Sequence, residues 1–265
     1  MSRSIVRLTL AVSVTVLALL CACSDNSTGP DSQRFEATEE FSSAVDASEL
    51  SMLEVEGVNG NIVIIGVNES DSVRIEAEKI VRSESTEDAQ EHLLLLHVDV
   101  LVSGSTVSVK TSQPKSPNGR DYIVNYEITV PRDFAVTALD VNGKVILDEL
   151  NSTVTVSVVN GEADLNEIEG SVTVAVVNGR IDSDITLPFN GWAVMSVVNG
   201  DIDLSIPQTT SAQFSANVTN GTVAVHDLTL ENQHTTLHSV VGRLGYGQGT
   251  IALTVTNGTI EVTGY

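Results

Sequence analysis

The chain has 265 residues, 42% of them hydrophobic but only 4% aromatic, and a formal net charge of −22 from 13 Lys+Arg against 35 Asp+Glu. That is enough aliphatic mass for one or two folded domains and too little positive charge to build a nucleic-acid surface. Two cysteines, Cys21 and Cys23, exclude a disulfide framework and a thiolate zinc site, and five scattered histidines point away from a histidine metal site.

Arg3 and Arg7 form a short basic segment, and Leu8 to Leu20 then runs without a charge. This run is shorter than the ~20 residues a bilayer span needs, but it suits a signal-peptide core. It ends in Leu20-Cys21-Ala22-Cys23, which resembles a bacterial lipobox. A leucine stands three places before Cys23 and a small residue just before it, so Cys23 is the expected lipidation site. Cys21 is out of register, because Leu20 would occupy the small-residue position. Residues 1–22 are therefore read as a lipoprotein signal peptide. Residues 23–34, polar and containing Gly29 and Pro30, are read as a flexible tether. Cleavage before Cys23 removes Arg3 and Arg7 and no acid, taking the net charge from −22 to −24. Such a surface is repelled by anionic lipid, so attachment to the membrane rests on the lipid. Ser24 in place of Asp at the next position points to the outer membrane by the Gram-negative sorting pattern, without selecting a face.

Residues 35–131 form a β-rich N-terminal region with one interruption. Ser85-Thr86-Glu87-Asp88 resembles a capping box, and Ala89, Leu93 and Leu96 follow at helical spacing, which predicts a short helix over 86–96. Val98, Val100 and Val102 then alternate as a strand, and Tyr122 to Val130 reads as another, closed by Pro131.

Residues 132–265 are a repeat region, and 35–265 reads as one continuous domain. Asn-Gly pairs begin at Asn142, Asn160, Asn178, Asn199, Asn220 and Asn257, with steps of 18, 18, 21 and 21 between the first five. A further step of 21 lands on Val241-Gly242, read as a degenerate member, and Asn59-Gly60 is an earlier copy. Each pair is preceded by apolar residues at −6, −4 and −1 or −2 and followed by apolar residues at +3 and usually +5. This pattern predicts an all-β, single-stranded right-handed β-helix or β-solenoid. The rival is a meander in which every Asn-Gly is a two-residue hairpin turn. Coil length, the prolines Pro188 and Pro207 in the two stretched intervals, and the alternating charges Lys144, Glu162, Arg180 and Asp201 at position +2 favour the solenoid. There, equivalent residues stack about 4.8 Å apart. Val158, Val176, Val197 and Val218 are then expected to point into one core. Stacked asparagines can hydrogen-bond as a ladder or serve only as bend residues.

The stretch Leu53-Glu54-Val55-Glu56-Gly57-Val58-Asn59-Gly60-Asn61-Ile62, the Asn125-to-Pro131 strand end, the recurrent Val-Val-Asn-Gly and the Gly242–Gly249 glycine cluster resemble a bacterial family of candidate adhesins with β-strand repeats, related to the head domain of auto-transporter adhesins. The resemblance covers roughly residues 40–265 and implies a single-stranded β-helix acting as an adhesin-like module. It carries no catalytic residue and no cofactor.

Asp164, Asp182 and Asp203 recur at position +4 and are weak candidates for a calcium site, against a solvated acidic stripe. Asp182 with Asp184, Asp201 with Asp203, and Arg180 as a base or clamp would be the residues of a polysaccharide lyase or hydrolase. Trp192 alone could give the indole stacking that sugars use. His226, His234 and His238 fall in one repeat and read as surface histidines. Gly242-Arg243-Leu244-Gly245-Tyr246-Gly247 opens no helix and reads as a flexible turn. The leading expectation is an envelope lipoprotein acting as a structural or binding module. Its partners would be the membrane, through the lipid, and a glycan or surface-protein ligand. A polysaccharide enzyme and a periplasmic accessory or sensory subunit are the alternatives.

Overall fold

A computed structural model describes residues 34–265. The expected signal peptide, Cys23 and the expected tether up to residue 33 lie outside the described residues.

The repeat unit is one long bent strand. β8 (Ala135–Asp148), β9 (Val154–Ile168), β10 (Val172–Ile185) and β11 (Trp192–Ile206) stack in parallel with every Asn-Gly in register: Asn142 beside Asn160, then Asn178, then Asn199. The pairs are therefore not hairpin turns. Within β9, Val154, Val156 and Val158 are buried, and beyond the pair the buried residues become Ala163 and Leu165. The alternation slips by one residue at Asn-Gly. A slip normally swaps the buried and exposed faces. Here the chain bends at the slip, so both arms of the strand face the same core. The expected core valines are buried: Val158, Val176, Val197 and Val218.

The asparagines do form the ladder. In the order Asn59, Asn142, Asn160, Asn178, Asn199, Asn257 and Asn220, each side-chain amide after the first donates to the side-chain carbonyl oxygen of the asparagine before it, at 2.8 to 2.9 Å. Asn59 closes one end by donating to the Tyr122 carbonyl at 2.9 Å.

The spatial order departs from the sequence order at both ends. The last strand, β15 (Gly249–Gly264), is inserted between β11 and β12 (Ala212–His226), parallel to both. Val241-Gly242 is not a coil of the array. It lies in β14 (Ser239–Leu244), which runs antiparallel to β12 and pairs in turn with β13 (Leu230–Thr235). A two-residue match at the right period was too short to separate a parallel coil from this hairpin.

At the other end, β2 (Met52–Glu56) and β3 (Ile62–Val67) are the two arms of one coil against β8. The next coil outward comes from β6 (Thr106–Ser112) and β7 (Asp121–Pro131). Antiparallel strands finish this end: β4 (Ser72–Ser83) on β7, β1 (Phe35–Asp46) on β4, and β5 (His97–Ser103) on β6. A solenoid coil is stabilised by its neighbours. With β15 held between two coils, the chain terminus is not the free end of the stack.

The helix α1 (Thr86–Leu93) begins as the sequence implies. Ser85 caps it by accepting from the Asp88 N–H at 3.1 Å, and Ala89 and Leu93 are buried. It stops three residues short of the predicted 96. Leu94 and Leu95 are exposed, and a turn brings the buried Leu96 up to β5.

Candidate functional site

The bend at Asn-Gly divides the outer surface into two faces of opposite character. Beyond the pairs, the outward residues include Lys144, Glu162, Arg180 and Asp201 in one row, and Asp164, Asp182, Asp203 and Glu261 in the next. Before the pairs, from β8 to β12, no outward residue is charged. One row reads Thr137, Thr155, Thr173, Val194, Ala252, Ser215, and the next Leu139, Ser157, Ala175, Ser196, Thr254, Asn217. Val141, Val159, Val177 and Val198 stand just before the asparagines and are about two-fifths exposed, from 38% to 43%. The asparagine ladder is thus the edge between a flat neutral face and a charged one.

The charged face places the expected residues in their expected rows, but the rows do not close on an ion. Parallel strands about 4.8 Å apart lay the carboxylates out in a line instead of converging them. Lys144 pairs with Asp164 and lies 3.4 Å from Glu162. The Asp164 carboxylate holds the Lys144 ammonium above its ordinary pKa. Asp203 is raised first by burial and then by Asp182 and Glu261, partly offset by Arg180. Among the described residues no three His, Cys, Asp or Glu side chains gather into a metal-holding group. Calcium, which takes six to eight oxygens, finds no such cage around Asp164, Asp182 and Asp203.

Arg180 sits in register between Glu162 and Asp201, as expected, but binds only one of them. Its guanidinium is 3.9 Å from Glu162, while Asp201 Oδ1 accepts from the Thr259 N–H at 2.7 Å and from its hydroxyl at 2.6 Å. The inserted β15 supplies Thr259, which the sequence order hides. Arg180→Glu is expected to cost under about 1 kcal/mol, as exposed pairs do, and salt should shrink the loss. Urea unfolding at low and high salt checks this; a salt-independent loss would mean a different partner.

The other sequence candidates do not come together. Asp184 accepts from the Tyr265 hydroxyl at 2.7 Å. His226 is 3.8 Å from Glu261, the His238 ring meets the Gly221 carbonyl at 2.8 Å, and His234 lies on β13. Two shallow depressions, of about 390 and 320 Å³, lie near the N-terminal end. Arg120 and Tyr122 line the first; Glu40, Glu76, Glu78 and Glu127 line the second. Arg120 is committed to a bidentate bond with Asp88, 2.7 Å on each arm, which holds that carboxyl well below the usual range with help from Ser83.

One buried acid was missed. Asp140 occupies the inward column that holds Val158 in the next coil. It is 4% exposed, and both carboxylate oxygens lack a partner. Gly57 and Gly143 make its room: a Cβ on either would stand 2.6 or 2.7 Å from a carboxylate oxygen. Burial pushes its pKa up to about 6. The Val141 N–H draws it back in part, though it is not in hydrogen-bond geometry. Aligning the repeats on Asn-Gly exposes this residue as the one acid in an apolar column.

The Toastrack DUF4097 family model matches residues 47–263. Among solved structures, a candidate cell adhesion protein from Clostridium sporogenes is 14% identical, with 86% of this chain and 100% of that chain covered and a TM-score of 0.48. A candidate adhesin from Bacteroides fragilis is 12% identical, with 84% and 96% covered and a TM-score of 0.34. No curated protein matches. The chain belongs to the Toastrack DUF4097 family.

Proposed function

We propose that the protein is a cell-envelope lipoprotein, anchored through Cys23 in the outer membrane, whose solenoid body is an adhesin-like binding module. The observation that carries this reading is the flat neutral face. In a chain with 35 acids, the arms of six stacked strands before the Asn-Gly pairs present mostly threonine, serine, alanine and valine outward and no charge. Along its edge Val141, Val159, Val177 and Val198 form an exposed apolar row between uncharged polar residues and the charged arm, and apolar surface with a polar rim is the ordinary mark of an interaction surface. Among the described residues no helix is long and apolar enough to cross a membrane. Two or more acyl chains on Cys23 would give lasting attachment where one gives only marginal binding.

The test separates anchor from face. Cells producing Cys23→Ser should release the protein or keep unprocessed precursor, whereas Cys21→Ser should keep the lipid, as read by mass spectrometry of the mature N-terminus. Val177→Glu places a charge in the neutral face at an exposed site. It should leave anchoring and melting temperature intact but abolish adherence of the producing cells to host or neighbouring bacterial cells. Adherence unchanged in Val177→Glu would remove the neutral face from the function.

A further inference from the structure

We infer that the corner of the solenoid where β11, β15 and β12 begin is a binding site for an uncharged oligosaccharide, with Trp192 as its stacking platform. This rests on the binding-module reading and names its ligand class and place.

The two 21-residue coils spend their extra residues at this corner. The connection before β11 covers residues 186–191, the one before β12 covers 207–211, and the turn before β15 covers 245–248. They touch one another: the Thr250 N–H donates to the Gly191 carbonyl at 3.0 Å, the Gly249 N–H to the Ser211 carbonyl at 2.8 Å, and the Tyr246 N–H to the Ser211 hydroxyl at 2.9 Å. In repeat proteins, residues inserted into successive repeats gather on one face, often the binding face. These three segments contain no Asp, Glu, Lys or Arg. The corresponding connections earlier in the array carry Arg132 and Asp133, Glu149, and Glu169.

What they do contain is exposed aromatic and amide surface. Phe189 is 74% exposed and Tyr246 87%, in a chain that is only 4% aromatic. Trp192 is 42% exposed at the start of β11, and its indole N–H donates to the Thr173 hydroxyl on β10 at 3.2 Å. That bond pulls the ring across the neighbouring strand and leaves it as a fixed surface rather than a free rotor. Asn190, Gln213 and Gln248 are exposed at the same corner, Asn190 two residues before Trp192 and Gln213 two strands away in register through Thr250.

The chemistry fits a neutral sugar. A pyranose has an apolar face of C–H groups that packs on an aromatic ring and a rim of hydroxyls that both donate and accept. Side-chain amides do both as well. An acidic sugar would meet a molecule of formal charge −22. Arg243, which runs beneath Gly247, is already paired with Glu231.

Trp192 is the single tryptophan of the sequence, so intrinsic fluorescence of the whole mature protein reports on this corner alone. The probes are neutral oligosaccharides of glucose, mannose and N-acetylglucosamine, with oligogalacturonate as the anionic contrast. At least one neutral oligosaccharide should shift the emission saturably, and oligogalacturonate should not. By calorimetry, Trp192→Ala should weaken that binding by about tenfold and Tyr246→Ala by several-fold, with Trp192→Phe retaining most of it, since each alanine removes a stacking ring and phenylalanine keeps one. Unchanged melting temperatures keep the comparison clean. Binding indifferent to Trp192→Ala and Tyr246→Ala would overturn the site. If no neutral oligosaccharide binds while Val177→Glu still abolishes cell adherence, the sugar corner is wrong and the binding module survives. If adherence is also indifferent to Val177→Glu, both fall. A concentration-dependent emission shift without sugar, with a dimer in sedimentation, would give the corner to a second copy and overturn the proposal.

Discussion

Gly179→Ala should destabilise the solenoid by more than about 3 kcal/mol, through a single methyl group. Gly179 has φ +147, where a side chain is strained, and an added Cβ would stand 1.6 Å from the carbonyl oxygen of Gly161 in the next coil and 2.7 Å from its carbonyl carbon. The obstacle is backbone, which no rotamer change can move aside. Strain at such a dihedral alone costs on the order of 1–3 kcal/mol, and the two coils must also separate, weakening the ladder bonds on either side of Asn178. Because coils are stabilised by their neighbours, a weak joint in the middle should split the unfolding into two transitions. Gly104→Ala is the control. Gly104 also has positive φ, +61, but an added Cβ there meets nothing within 4 Å. It should cost about 1 kcal/mol and keep a single transition. Urea denaturation of both variants checks this, and equal losses would show that backbone strain, not coil stacking, sets the requirement for glycine.

The same stacking explains what could be read from the residues in advance. Parallel in-register pairing repeats one environment at one period, so Val158, Val176 and Val197 announced a common inward column, and Lys144, Glu162, Arg180 and Asp201 a common outward row. The period says nothing about which coil lies next to which. Asn199, Asn220 and Asn257 carry equivalent patterns, and only the structure shows Asn257 standing between the other two. The consequence reached single residues: Asp201 was assigned to Arg180 but belongs to Thr259. The acidic column of Asp164, Asp182 and Asp203 was legible as a column. Its lack of a metal geometry was not, because that depends on Lys144 folding onto Asp164 from the neighbouring strand. The neutral face was legible residue by residue but has meaning only once the bend at Asn-Gly sets it apart from the charged arm.

Asp140→Val should stabilise the protein more at neutral pH than at pH 4, by about 3 kcal/mol. In the folded protein burial holds the Asp140 pKa at about 6, whereas an unfolded aspartate titrates near its ordinary value of about 3.9. The folded state therefore binds the proton more tightly. Below about pH 4 both states are protonated, and only the cost of burying a neutral carboxyl without a partner remains. As pH rises from about 4 to 6 the unfolded chain ionises while the folded one resists, so stability falls across that window and stays lower above it. The gap of about two units corresponds to roughly 3 kcal/mol. Valine is apolar, of similar bulk to aspartate though branched at Cβ instead of Cγ, and already fills this column as Val158 in the neighbouring coil. The room that Gly57 and Gly143 leave beside the Asp140 carboxylate should accept a side chain that reaches less far from the backbone. Chemical denaturation of wild type and variant from pH 4 to pH 7.5 measures the difference directly, and the contributions of all other acids cancel in it. A gain of the same size at every pH would mean that Asp140 is costly only as a poorly packed side chain and does not titrate in the fold.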